Sequence, residues 1–599
     1  MARVLWLITA LVLVFAATAG AVEVQQTLWG FDGRVRLGSF NPLSVYVYNG
    51  GEKPFDGALV LRKDSGAGPL GARLIEPCYL SPGTGRWITF YPFITSSGQS
   101  WALSWGRRRE QRTELDPPDI GERAAVFLWT DRISRPPSAL PAFEAGRFPT
   151  TVGATDGLGA VLIDSTPDWD PLRRKAFIDW VWSGGRVHLL KPPAGELQFA
   201  GELVELNNPS EEFRVGAGRV VRHEFGRGDL DPARLEAMGL GQPKRDGSER
   251  DARPGRGPYA GQWAQSSTEQ SAFAALQSVI RPEHKWWLIY FASIVFLLLV
   301  GPANGLLSRR RWNYRGSLAF VALAVAAFSY GFYTVGQRGY GEKTSVHKIA
   351  YARALSDGFD VLQYANAFVT RGDQYRIGHD GRHNLYSTAQ NYEPVRGLIN
   401  FSGGGSFDVD IPIYSWRSFV HRGFYPAQPF AVTVERWPQG PGPEELVVKF
   451  GQASPASPAA VWALRGELMS NMLVENATAE ARGGGVHYRD MLGLAQQRQN
   501  ARYYRSPYGY YGNQSDHPKP TLIQVLQPLV SHAIIADRLG VLHADSDRPL
   551  TEPDHIMLFI LAPAPPEFSA RMQGLEADHG YVIYQLDLFA PAAQGENVP

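Results

Sequence analysis

The chain has 599 residues, 44% of them hydrophobic and 20% charged, with a formal net charge of +1. That is enough apolar material for three or four domains with proper cores. The near-zero net charge argues against nucleic acid as a partner, which calls for a basic face. Cys78 is the only cysteine, so an intramolecular disulfide and a cysteine-based zinc site are both excluded.

Residues 1–21 read as a signal peptide. Arg3 precedes an apolar run from Val4 to Phe15, and Ala17-Thr18-Ala19 and Ala19-Gly20-Ala21 then offer small-residue cleavage sites. An uncleaved anchor is the alternative. Residues 22–118 read as an all-β domain. Arg34-Val35-Arg36-Leu37 alternates, Ser44-Val45-Tyr46-Val47-Tyr48 ends at Asn49-Gly50-Gly51, and Ala58–Leu61 and Trp87–Phe90 follow. Short strands at this spacing predict a β-sandwich of immunoglobulin-like look, without its paired cysteines.

Residues 119–231 change character. Ala124–Trp129 and Ala160–Ile163 are continuous apolar runs, as in strands buried on both faces. Asp168 to Ser183 has helical periodicity, with Leu172, Ala176, Phe177, Trp180 and Val181 on one face. Gly184-Gly185 stops it, and Val187–Leu190 is the next strand. Strand, helix, glycine pair and strand predict an α/β unit with parallel strands. Residues 232–285 are polar and read as a linker ending in a juxtamembrane helix around Glu269–Ile280.

Two apolar stretches follow, 286–307 and 316–336, neither carrying Asp, Glu, Lys or Arg. Each reaches the ~20 residues needed to cross a bilayer, so they predict a two-pass transmembrane hairpin in a cell (inner) membrane. Residues 308–315 between them hold Arg309, Arg310, Arg311 and Arg315, which the positive-inside rule places in the cytoplasm. Both large soluble regions would then lie on the exported, periplasmic side. Small residues four apart, Gly301 and Gly305, Ala322 and Ala326, Ala327 and Gly331, predict close helix packing. Residues 337–599 form a β-rich region, with strands at Phe407–Ile411, Ala431–Val434, Glu445–Val448 and Tyr581–Tyr584. His379 and His383 flank Asp380-Gly381-Arg382, a turn that reads as carrying surface histidines.

Leu158-Gly159-Ala160-Val161-Leu162-Ile163-Asp164 leads to Trp180-Val181-Trp182-Ser183-Gly184-Gly185-Arg186-Val187, with a later strand near Gly216–Val221. A strand ending in Asp, a helix ending in Trp-Val-x-x-Gly-Gly and another strand resemble the class I glutamine amidotransferase-like, flavodoxin-like fold. The likeness is to its branch among uncharacterised bacterial envelope proteins, which also share the Gly301-Pro302-x-Asn304 span end. The resemblance implies a multidomain chain of β-domain, α/β domain and membrane helices. Active members of the wider superfamily use a Cys nucleophile on the strand-to-helix turn. Here that turn reads Asp164-Ser165-Thr166-Pro167, so the amidotransferase chemistry is absent.

Asp164 and Ser165 are expected to cap the following helix or, with Asp131 and Asp168, to line a ligand crevice at the strand ends. No catalytic residue, cofactor or metal site is assigned. The functional expectation is a non-enzymatic, membrane-anchored envelope protein. It would be auxiliary to a transport or envelope-assembly complex, with membrane lipid and other membrane or envelope proteins as partners. The alternative is an exported hydrolase with a diverged site at Ser165 or the nearby carboxylates.

Overall fold

A computed structural model describes residues 22–590 apart from 66–67, 97–98, 107–110, 131–135, 194, 241–259, 281–285, 310–313, 338–342, 389–394, 429, 456, 494–520, 527–529 and 542–548. The signal-peptide reading of 1–21 therefore lies outside the described residues. The molecule is multidomain and mostly β-sheet.

In the N-terminal part, Val22–Trp29, Leu43–Asn49 and Thr84–Phe90 form a three-stranded antiparallel sheet. Its inward residues Val45, Val47, Ile88 and Phe90 share one apolar core with Leu59, Leu61, Leu74 and Leu103 of an eight-stranded sheet. That second sheet does not end with the N-terminal segment. Gly68–Leu80 pairs in parallel with Gly397–Asn400, and Ser406–Ile411 and Asp373–His379 continue it. More than 300 residues of sequence separate two adjacent strands. Cys78 is buried in this sheet.

The α/β part has Ala124–Trp129, Leu158–Ile163, Arg186–Leu189 and Gly218–Arg222 in parallel, with Glu212–Val215 antiparallel at one edge. The helix Pro171–Trp182 packs Phe177, Trp180 and Val181 onto it. The glycine pair has two separate causes. Gly184 has φ +97°, and a Cβ on Gly185 would lie 2.5 Å from the Trp180 ring.

The C-terminal part is built on a twelve-stranded sheet whose long central members are Ser415–Pro426, Gly358–Val369, Ser345–Ala354, Ala577–Phe589 and His555–Pro563. The helix Ala260–Ile280 lies on this sheet. Ala272, Phe273, Ala275 and Leu276 are buried against it and against the helix Ser531–Leu539. The segment read as a juxtamembrane helix is thus a core element.

The transmembrane hairpin is not supported: among the described residues no helix is long and apolar enough to cross a membrane. The first run is broken. Trp286–Leu298 is α-helical for 13 residues, Leu299–Ala303 is a π-helical turn containing Pro302, and Asn304–Arg309 is a short helix. Pro302 has no N–H to continue the ladder. The second helix is Tyr314–Gln337. The two-pass inner-membrane placement, and the cytoplasmic loop that depended on it, fall with the spans.

Candidate functional site

The expected crevice lies at the carboxyl ends of the parallel strands. Asp164 follows Leu158–Ile163, is 1% exposed and forms an ion pair with Arg227. Arg227 also sits over the Phe127 ring at 5.6 Å. Burial pushes the Asp164 carboxyl up, and the Arg227 guanidinium only partly offsets it. The Ser165 hydroxyl hydrogen-bonds the Thr130 hydroxyl and donates to Asp164 Oδ1 at 3.3 Å. Neither residue caps the helix. The cap is Asp170, which accepts from Arg173 N at 3.0 Å, with Pro171 at the first helical position. Asp168 is exposed, and Asp131 lies outside the described residues.

The hairpin residues are not brought together as expected. A Cβ on Gly301, Gly305 or Gly331 would meet no atom within 4 Å, and Ala322, Ala326 and Ala327 are exposed. The two helices touch elsewhere, where Ser317 Oγ donates to Asn304 Oδ1 at 2.6 Å and the Phe296 and Phe328 rings lie 5.2 Å apart. Arg309 and Arg315 are exposed, and Arg310 and Arg311 lie outside the described residues.

A strongly charged site sits at the other end of the α/β sheet, where the strands begin. Arg123 precedes Ala124–Trp129, and Asp156 precedes Leu158–Ile163. Facing them are Asp360, Arg422 and Arg353 from the C-terminal sheet, Arg538 from the helix Ser531–Leu539, and Arg36 from the N-terminal part. Together they line a small cleft of about 30 Å³.

Arg422 is buried and doubly bidentate. It reaches Asp156 at 2.6 and 3.0 Å and Asp360 at 2.6 and 3.0 Å. Arg538 adds a 3.1 Å bond to Asp156 and one of 2.9 Å to the Gly38 carbonyl. Burial alone would raise the Asp156 carboxyl, but Arg422 and Arg538 overcome it and hold it well below the usual carboxylate range. This network ties all three parts of the chain together. Sequence reasoning missed it because its members come from five distant segments. None carries a local motif.

A second buried cluster lies in the C-terminal part. His379 is 6% exposed, contrary to the surface reading. It stacks on His421 with ring centroids 3.7 Å apart, and Tyr386 Oη bonds its Nδ1 at 3.0 Å. His421 Nε2 meets Asn384 Oδ1 at 2.8 Å. Burial, with Lys348 and Arg571 adding to it, brings His379 down to about 3, so it is neutral. Among the described residues no group of three or more His, Cys, Asp or Glu is placed to hold a metal ion.

No protein-family model matches the chain. No curated protein matches it either. Solved structures give faint likenesses. A Paenibacillus cycloisomaltooligosaccharide glucanotransferase is 9% identical over 67% of this chain and 70% of its own, with a TM-score of 0.15. The MG7-to-C-terminus part of Escherichia coli alpha-2-macroglobulin is 11% identical over 78% of this chain and 99% of its own, with a TM-score of 0.12. Scores this low define neither a shared fold nor a shared activity.

Proposed function

We propose that this protein is a non-enzymatic binding protein, auxiliary to a larger protein assembly, built around an amidotransferase-like α/β domain without the superfamily's nucleophile. One observation carries the reading. At the turn where a nucleophile would stand, the Ser165 hydroxyl is engaged by Thr130 and Asp164, and Asp164 is itself engaged by Arg227. A serine nucleophile needs a base within hydrogen-bond reach that is free to take its proton. The Arg227 guanidinium occupies the Asp164 carboxylate, which holds the turn in place.

The test is turnover. Purified full-length protein is incubated with chromogenic ester, amide, glycoside and phosphate-ester substrates, beside Ser165→Ala and Asp164→Asn. No turnover above buffer is expected. Turnover that Ser165→Ala or Asp164→Asn abolishes refutes the reading and installs the hydrolase in its place.

A further inference from the structure

We infer that the helix Tyr314–Gln337 is the interface of a symmetric dimer, its outer face packing on the same face of a second copy of this chain. The inference goes beyond the binding-protein reading and does not rest on it.

The helix carries two apolar stripes. Ser317, Val321, Ala324 and Phe328 recur at intervals of four, three and four, and all are buried or half-buried. Ser317 bonds Asn304 and Phe328 meets Phe296, so this stripe seats the first helix. Ala319, Leu323, Ala326 and Tyr330 repeat the same intervals, and all four are exposed. They start two residues later, a rotation of about 200°, which places them on the opposite face. Alternating steps of four and three are the spacing of a helix–helix seam. One seam is filled by the first helix, and the other faces outward.

Two features select a second copy as the occupant. Residues 316–337 hold no Asp, Glu, Lys or Arg, so the face offers nothing to a partner recognised by charge. The outward seam also alternates small and large: Ala319, Leu323, Ala326, Tyr330. The same seam on another copy supplies the knobs for its own holes, the self-complementarity that a two-fold interface requires.

The area is sufficient. Twelve of the nineteen large apolar side chains exposed among the described residues lie between Trp286 and Gln337. Leu323 is 71% exposed and Tyr330 69%. At roughly 100 Å² of exposed side chain each, the twelve present about 1,200 Å² of apolar surface. That is above the ~300–600 Å² patch that a monomer leaves in water. Half of it, on the side facing the partner, is ~600 Å². With ~65% of a homodimer interface apolar, the buried area is about 900 Å² per copy. A stable interface needs about 800 Å² per copy.

The test uses the full chain at micromolar concentration. Sedimentation equilibrium is expected to give twice the chain mass. Leu323→Glu sets an unpaired carboxylate in the seam and is expected to weaken association at least about tenfold, while Leu323→Met keeps the dimer. Oxidation of Ala326→Cys is expected to give a disulfide-linked dimer on a non-reducing gel. Wild type, whose single Cys78 is buried, and Leu172→Cys, exposed on the helix Pro171–Trp182, should stay uncrosslinked. A monomeric mass overturns the inference, including that of a monomer which floats with phosphatidylcholine vesicles. So do open-ended aggregates without a discrete dimer, Leu323→Glu associating as wild type, or Leu172→Cys crosslinking as well as Ala326→Cys. Should Leu323→Glu fail to fold, the wild-type mass and the Ala326→Cys crosslink decide.

Discussion

Replacing Arg422 with Met should loosen the joint between the α/β domain and the C-terminal sheet. The guanidinium is 5% exposed and neutralises Asp156 and Asp360 together. After the substitution Asp156 still has Arg538 at 3.1 Å. Asp360, 6% exposed, loses the two bonds Arg422 gives it and becomes a buried, unpaired carboxylate. Breaking a buried pair from one side costs about 3–5 kcal/mol, most of it the stranded charge. The whole of that cost should appear as destabilisation, because methionine fills only part of the space. Urea unfolding at pH 7 measures it, and limited proteolysis shows whether the α/β domain is released first. The second variant is decisive: Asp360→Asn in the Arg422→Met background removes the stranded charge and should restore at least half the loss. A single-variant loss under about 1 kcal/mol, or no rescue by Asp360→Asn, would refute the reasoning, since a pair worth so little is in effect a surface pair.

Two further outcomes follow from buried titratable groups. Burial raises Glu269, on the inward face of Ala260–Ile280, to about 8, with Lys63 only partly opposing it. It is protonated in the fold and ionised in the unfolded chain between pH 4.5 and 8, so stability falls as pH rises across that interval. Glu269→Gln should therefore stabilise by about 3 kcal/mol at pH 7 and by under about 1 at pH 5; an equal gain at both pH values counts against it. His379, neutral with a folded value of about 3, gives the opposite slope: its contribution is present above pH 6.5 and lost as pH falls toward 3. Denaturant titrations at pH 7.5 and 5 should differ by about 2 kcal/mol from this group alone. His379→Phe should remove that difference, and an unchanged slope would show that the acid response lies elsewhere.

Local pattern is decisive where neighbours along the chain set the structure. The apolar run Ala124–Trp129 is a strand over those same residues, because a strand buried on both faces needs no polar alternation. The helix announced by Leu172, Ala176, Phe177, Trp180 and Val181 runs Pro171–Trp182, and its Gly184-Gly185 stop has a steric cause. The cap was misplaced by several residues. Asp164, Ser165, Asp168 and Asp170 are all capping types, and only the chain's path selects Asp170. The hairpin failed for a different reason. The π-helical turn Leu299–Ala303, which holds Pro302, interrupts the first apolar run, and among the described residues no helix is long and apolar enough to cross a membrane.

By itself the sequence determined the strands of the α/β unit and their parallel direction. Each of these is set by residue identity or by contacts a few positions apart. Only the tertiary structure decided that Gly68–Leu80 and Gly397–Asn400 share a sheet, that His379 meets His421, and that Ala260–Ile280 is core. It alone placed the charged cleft at the amino ends of the strands. Arg36, Arg123, Asp156, Arg353, Asp360, Arg422 and Arg538 span some five hundred positions. No period or spacing links them, and their charges become informative only once folding removes the water that would otherwise screen each one.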